Sequence, residues 1–266
     1  MTQTTTVFHT QLNLFYIALG FLTRIPVPNS VDYSQKKLNQ ASRYFPLVGW
    51  LVGLLVGFVF LVVSRILPNE IAVLFSMLSG ILLTGCFHED GLADTCDGLG
   101  GGWGKQQKLK IMKDSRLGTY GATGLWFILT FKFYLLFKLS EQSSIQIFIA
   151  IIVAHPLSRT LSTSMIFLLP YVSDSEISKV KPLAESHQKI DLQISLAIGL
   201  ASLILVSGTV LWILIVLSVF LLFMRRLLLK QIQGFTGDTL GAIQQVSEIL
   251  IYTVFLVSNL SYGALS

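Results

Sequence analysis

Glu89, Asp90, Asp94 and Asp97 stand within nine positions of one another, in the stretch GCFHEDGLADTCDGLGGGWGK at 85–105. On a helix of about 100° per residue, Asp94 falls about 40° to one side of Asp90 and Asp97 about 20° to the other. Three carboxylates on one narrow arc repel each other unless a cation lies between them. With oxygen ligands only, and no His or Cys in register, that cation is a hard ion: Mg²⁺, Mn²⁺ or Ca²⁺. An EF-hand is excluded, because Asp90, Asp94 and Asp97 lack the alternate-residue spacing of that loop. His88 points to the opposite face, as a helix-end residue or a site residue. Mg²⁺ held by few carboxylates completes its shell with water and phosphate oxygens, so a phosphorylated substrate is expected. The plainer alternative is a solvated helix end, its acids in water just outside a membrane.

The flanking residues bear on the same chemistry. Gly98, Gly100, Gly101, Gly102 and Gly104 either let backbone amides approach a ligand or form a flexible connector. A Walker loop is excluded by Leu99 in place of its first Gly and by Gln106 after Gly104-Lys105. Lys105, Lys108, Lys110 and Lys113 either receive phosphates or mark a cytoplasmic face. In DSRLGTYGA at 114–122, Asp114 can add a metal ligand and Arg116 can clamp phosphate through its planar fork. A local ion pair is the other reading of that pair. Gly118 and Gly121 permit close helix packing.

The elements that must hold these groups are apolar. The chain of 266 residues is 53% hydrophobic and 12% charged, about half the charge of an ordinary soluble domain. Runs long enough to cross a bilayer, about 20 residues each, are expected at 44–66, 70–88, 119–139, 144–169, 192–209, 210–224 and 237–262. The stretch 12–23 is shorter, is closed by Arg24, Pro26 and Pro28, and reads as an interfacial or re-entrant segment. The expectation is an all-α polytopic bundle of about seven spans forming a single domain over 1–266. There is no internal repeat and no evident signal peptide. Cys86 and Cys96 supply neither a disulfide framework nor metal-site spacing. Three basic clusters (Lys36, Lys37 and Arg43; Lys105 to Arg116; Arg225, Arg226 and Lys230) fall on one side. The positive-inside rule makes that side cytoplasmic, and the acids and the polar loop 170–190 lie there too.

HEDGLADTCDG and DSRLGTYG, with FLTRIPVP at 21–28, RYFPLVGWLVG at 43–53, HPLSR at 155–159 and GFTGDTLGA at 234–242, resemble the cobalamin synthase family along nearly the whole chain. The resemblance implies an integral inner-membrane enzyme that joins adenosylcobinamide-GDP to α-ribazole or its 5′-phosphate, releasing GMP, with Mg²⁺. The chemistry is similar to that of the CDP-alcohol phosphotransferases, and Asp94-x-x-Asp97-Gly98 matches the start of their motif. The departure is at Leu99, Gly100 and Gly101, where no Ala-Arg follows.

In that frame Mg²⁺ is expected on Asp90, Asp94, Asp97 and Asp114, with Asp94 or Asp97 as the base for the attacking ribose hydroxyl. Arg116 and Arg159 neutralise the remaining phosphate oxygens. His155 and Arg159, spaced i, i+4, share a helix face, where Arg159 either clamps the diphosphate or snorkels to the interface. Asp238 is a substrate contact or a helix N-cap, and Arg43, like Arg24, is a substrate contact or a topology marker. The chief rival is a cation- or proton-coupled transporter, whose cue would be broken helices in two related halves. A membrane scaffold would leave the three carboxylates unexplained. Homo-oligomerisation stays open.

Overall fold

The computed structural model describes residues 2–173, 188–206 and 208–263. Most of the loop expected at 170–190 lies outside them. The described residues are helical apart from turns and one isolated bridge between Tyr171 and Phe235. In chain order the helices are α1 (Thr2–Leu22), α2 (Gln35–Ala41), α3 (Phe45–Val63), α4 (Asn69–Thr84), α5 (Phe87–Gly101), α6 (Lys105–Ile111), α7 (Thr119–Gln142), α8 (Ser144–Leu168), α9 (Lys189–Leu200), α10 (Val210–Gln231) and α11 (Gly237–Gly263).

Five of the described helices, α3 (with α2), α7, α8, α10 and α11, are long and apolar enough to cross a membrane. This makes the protein a multi-pass membrane bundle. The expected span at 70–88 ends early. Gly85 and Cys86 both take left-handed backbone, with φ of 65° and 60°, and the chain turns by 86° from α4 into α5. The two qualify only together, as one bent pair. At 192–209 the sequence expectation differs from the structure: α9 is 12 residues long and tightens into a 3₁₀ turn at Ala201–Leu205. The N-terminal stretch is more regular than expected, a continuous helix whose apolar part is Val7–Leu22.

The centre is a layer of α3, α8 and α11. Val48, Val52, Phe60, Ile151, Ala154, Ile243 and Ile251 are buried there. Gly49, Gly53 and Gly57 line one stripe of α3 and meet α8 at His155, at Ile151 and at Phe148 respectively. The rising numbers on α3 meet falling numbers on α8, so the two helices are antiparallel. Small residues at this spacing let helix backbones approach closely in a bilayer, where hydrophobicity gives no drive for association. α5 and α7 pack on α11, whereas α10 leans on it with its outer face bare: Leu211, Trp212, Val219 and Phe223 are exposed, as lipid-facing residues are. The end of α8 is tied to the start of α11 by Val172 N–H to the Phe235 carbonyl (2.9 Å) and Phe235 N–H to the Pro170 carbonyl (2.9 Å). The starts of α3, α7 and α11 and the end of α8 therefore share one face. All three basic clusters lie at that face, since Lys105 and Lys108 reach Gln233 and Gln231 at the end of α10.

The glycine stripe makes a graded prediction. A Cβ on Gly49 would meet α8 backbone, 2.6 Å from the His155 carbonyl oxygen and 2.8 Å from Pro156 Cα. At Gly57 it would meet the Phe148 ring at 2.7 Å, which can rotate away. Gly49→Ala should cost about 1–3 kcal/mol of stability and Gly57→Ala clearly less. Thermal unfolding of the detergent-solubilised variants checks the order.

Candidate active site

The acidic arc of α5 is divided among three surroundings. Asp97 is buried, and its carboxylate accepts from Gly118 N–H (2.7 Å) and Gly121 N–H (2.8 Å) at the start of α7. It fills the place of a capping side chain for amides that lack intrahelical partners. Both glycines are needed, because a Cβ at either position would land on the carboxylate. Asp94 is half-buried at the mouth of the bundle. Burial first, then Asp238 and Asp90, push its carboxyl up to about 7, while Lys113 opposes them. Asp90 is exposed. Asp238, in the first turn of α11, is brought alongside because Gly91 of α5 lies against its backbone, where a Cβ would sit 2.8 Å from the Asp238 carbonyl oxygen. Lys113 Nζ pairs with Asp238 at 3.1 Å.

The expected set of four metal ligands is therefore not assembled as the sequence suggested. Asp97 is occupied by two amides. Asp114 is partly exposed and tied to Arg116, whose Nη2 lies 2.6 Å from Asp114 Oδ2, and that hydrogen bonding holds the Asp114 carboxyl down at about 2. Among the described residues no three His, Cys, Asp or Glu side chains stand close enough together to hold an ion. What acts on Asp94 is Asp238 and Asp90, which raise its carboxyl, and Lys113, which opposes them and pairs with Asp238.

The other expected residues sort by place. Asp238 is not the N-cap of α11. Thr236 is: its hydroxyl accepts from Thr239 N–H (3.2 Å), and Thr239 returns a bond to Thr236 N–H (3.0 Å). Gly98 to Gly101 are helical, and Gly98 packs against Met112 and Gly100 against Tyr120, so they are helix contacts and not a loop around phosphate. Arg43 is buried in an ion pair with Asp191 of α9, away from the mouth. Arg159 is 2% exposed, and the anion near it belongs to the protein: Glu248, at 3.9 Å. His155 lies beside it, its Nδ1 3.1 Å from Glu248.

With this geometry in view, the comparisons with known proteins decide the family. A family model described as cobalamin-5-phosphate synthase matches residues 14–256. The chain belongs to the cobalamin-5-phosphate synthase family. Similar proteins named adenosylcobinamide-GDP ribazoletransferase occur in Shewanella frigidimarina (49% identical over 256 residues, 94% of this chain and 97% of that one) and in Shewanella oneidensis (50% over 255 residues, 94% and 96%). A third, in Shewanella pealeana, is 49% identical over 256 residues, 95% of this chain and 98% of that one. No solved structure matches the chain. Membership in a family of transferases also sets the coupled-transporter reading aside.

Sequence reasoning missed the polar centre of this family member. Glu248 of α11 takes Lys132 of α7 on one oxygen (2.7 Å), while His155 and the Gln244 amide approach the other. Lys132 also donates to Gln245 (2.7 Å), and the Gln245 amide donates to Glu89 of α5 (2.9 Å). Two carboxylates, Glu89 and Glu248, thus balance two cations, Lys132 and Arg159, inside the bundle. A small pocket lies among them, and Glu89 Oε2, Gln244 Oε1 and Arg159 Nε are buried around it without a protein partner. A signal was present in the sequence, since Lys132 and Glu248 are charges in the interior of apolar runs, which are costly and rarely idle. Removing one side of such a pair strands the other, at a cost of about 3–5 kcal/mol. Lys132→Met should lower the unfolding temperature markedly, and Lys132→Met with Glu248→Gln should recover part of the loss. Circular dichroism melts of the single and double variants measure both.

Proposed function

We propose that the chain joins adenosylcobinamide-GDP to α-ribazole, or to its 5′-phosphate, and releases GMP, at the mouth where α5 meets the first turns of α7 and α11. Adenosylcobinamide-GDP and ribazole are the groups that the names of its relatives give. The Lys113–Asp238 ion pair, brought beside the acidic face of α5 by the close approach of Gly91 to the Asp238 backbone, carries the location. Asp94 is half-buried, and Asp238 and Asp90 raise its pKa further, an environment that a bound cation would relieve.

An all-oxygen set suits Mg²⁺. Because no three ligands converge, one or two of these carboxylates would hold it, with phosphate oxygens and water completing the shell, as this ion prefers. Bound there, Mg²⁺ would supply neutralisation of the diphosphate and of charge on the departing GMP. Asp97 already accepts from two amides that brace α7, and in this reading Asp94, half-buried at the mouth, is the base. The ribose 3′-hydroxyl oxygen bonds to the phosphorus on the cobinamide side and its proton passes to Asp94. The bond from that phosphorus to the bridging oxygen breaks, and GMP leaves with that oxygen. Arg116, 87% exposed, is free to exchange Asp114 for a phosphate. The match of Asp94-x-x-Asp97-Gly98 to the CDP-alcohol phosphotransferases supports kinship of chemistry, although Asp97 here braces α7.

The three basic clusters at one face support a cytoplasmic mouth in the bacterial inner membrane. With Cys86 and Cys96 changed to Ser, Gln106→Cys should react with an impermeant maleimide only in inside-out vesicles. Reaction in intact cells would reverse the orientation.

The activity itself is tested by GMP release from purified protein given both substrates. Asp94→Asn should lower turnover at least about a hundredfold, the scale of a lost general base, with the melting temperature retained. Asp90→Asn and Asp238→Asn should raise the Mg²⁺ concentration required. Full activity in EDTA would refute the metal, and a near-normal Asp94→Asn would refute the base.

A further inference from the structure

Beside the mouth lies a second pocket that the reaction scheme leaves unused. Its walls are rings. Phe21 stacks on Phe45 (centroids 5.7 Å apart, planes within 9°), Phe87 meets Phe21 edge-on at 5.3 Å, and the His88 ring meets Phe87 at 5.4 Å. Its floor is α8, with the hydroxyls of Ser162 and Thr163. Gly237 and Gly241, which flank Asp238 in α11, form its edge, so it opens within one helical turn of the proposed reaction centre. Ser162 already donates to the Arg159 carbonyl (3.1 Å), whereas the Thr163 hydroxyl is buried with no partner.

We infer that this aromatic pocket receives the benzimidazole base of the ribazole substrate. The inference rests on the transferase reading above and adds a subsite to it. The lining selects among the available groups. A corrin is far too large. Guanine carries an amide edge and an amino group needing several partners, and most would be stranded against phenylalanine at a cost of about 1–3 kcal/mol each. Benzimidazole presents two apolar faces and, once one nitrogen carries the ribose, a single free ring nitrogen. One unpartnered hydroxyl, that of Thr163, matches that single acceptor. As it stands the pocket has room for only a few waters, and Phe87 is the wall that can yield. It is 40% exposed, and side-chain rotation of this kind is common on binding. A base seated here would direct its ribose toward Asp238 and Asp94.

The test is GMP release by the full-length protein, with each substrate varied in turn. Phe87→Leu keeps an apolar wall and removes the ring. It should raise the KM for α-ribazole about tenfold, the scale of a lost base–aromatic stack, and leave the KM for adenosylcobinamide-GDP within about twofold. Thr163→Val guards against a folding artefact. Because the hydroxyl has no partner, the variant should melt at or above the wild-type temperature, yet its KM for α-ribazole should rise about fivefold. Unchanged ribazole KM in both variants overturns the inference. A rise confined to adenosylcobinamide-GDP overturns it too, by assigning the pocket to guanine. If wild-type protein releases no GMP with both substrates and Mg²⁺ present, the transferase reading itself fails. Wild type active with unaffected variants is the separate failure of the subsite.

Discussion

A carboxylate buried within a membrane bundle must be answered where it stands, because no water is near to answer it. Glu248 sets that condition here. Lys132 comes from α7, His155 and Arg159 from α8, and Gln244 from its own helix, so three helices are obliged to meet at one depth. Apolar packing among lipid-exposed helices is a weak guide to register, since lipid tails are as apolar as leucine. The ion pairs supply the register that packing alone does not.

α5 hangs from this centre. Its first turn is held through Glu89 to Gln245, its middle by the close approach of Gly91 to the Asp238 backbone, and its far end by Asp97 to the amides of α7. Between those fixings the only acids left free to face substrate are Asp90 and Asp94. The protein thus spends two of four acids on holding a short polar helix at the mouth of an apolar bundle. That helix has little apolar surface with which to hold itself, which is why carboxylates and glycines do the work there.

Much of the bundle was legible along the chain. The long apolar runs at 119–139, 144–169 and 237–262 became α7, α8 and α11 nearly residue for residue, because a bilayer demands length and apolarity and both can be counted. The segment at 192–209 misled for the same reason: it is apolar enough, yet its helix tightens and breaks after Leu200. The turn at Gly85 and Cys86 was hidden, since a left-handed cysteine leaves no mark in composition. Among site residues, the arc of Asp90, Asp94 and Asp97 on one face was read correctly as an arc. What each acid meets across that face was not.

The sequence by itself determined the class of the protein and the family, through hydropathy, charge placement and motifs spaced along one strand of chain. It also determined which residue types were available for chemistry. Only the tertiary structure decided their surroundings: Asp97 bracing α7, Asp114 paired with Arg116, Asp238 paired with Lys113, and Lys132 with Glu248 as a buried pair 116 residues apart. The reason is physical. Periodicity reports which side of a helix a residue is on, and it says nothing of which other helix, held at what distance, will stand opposite it.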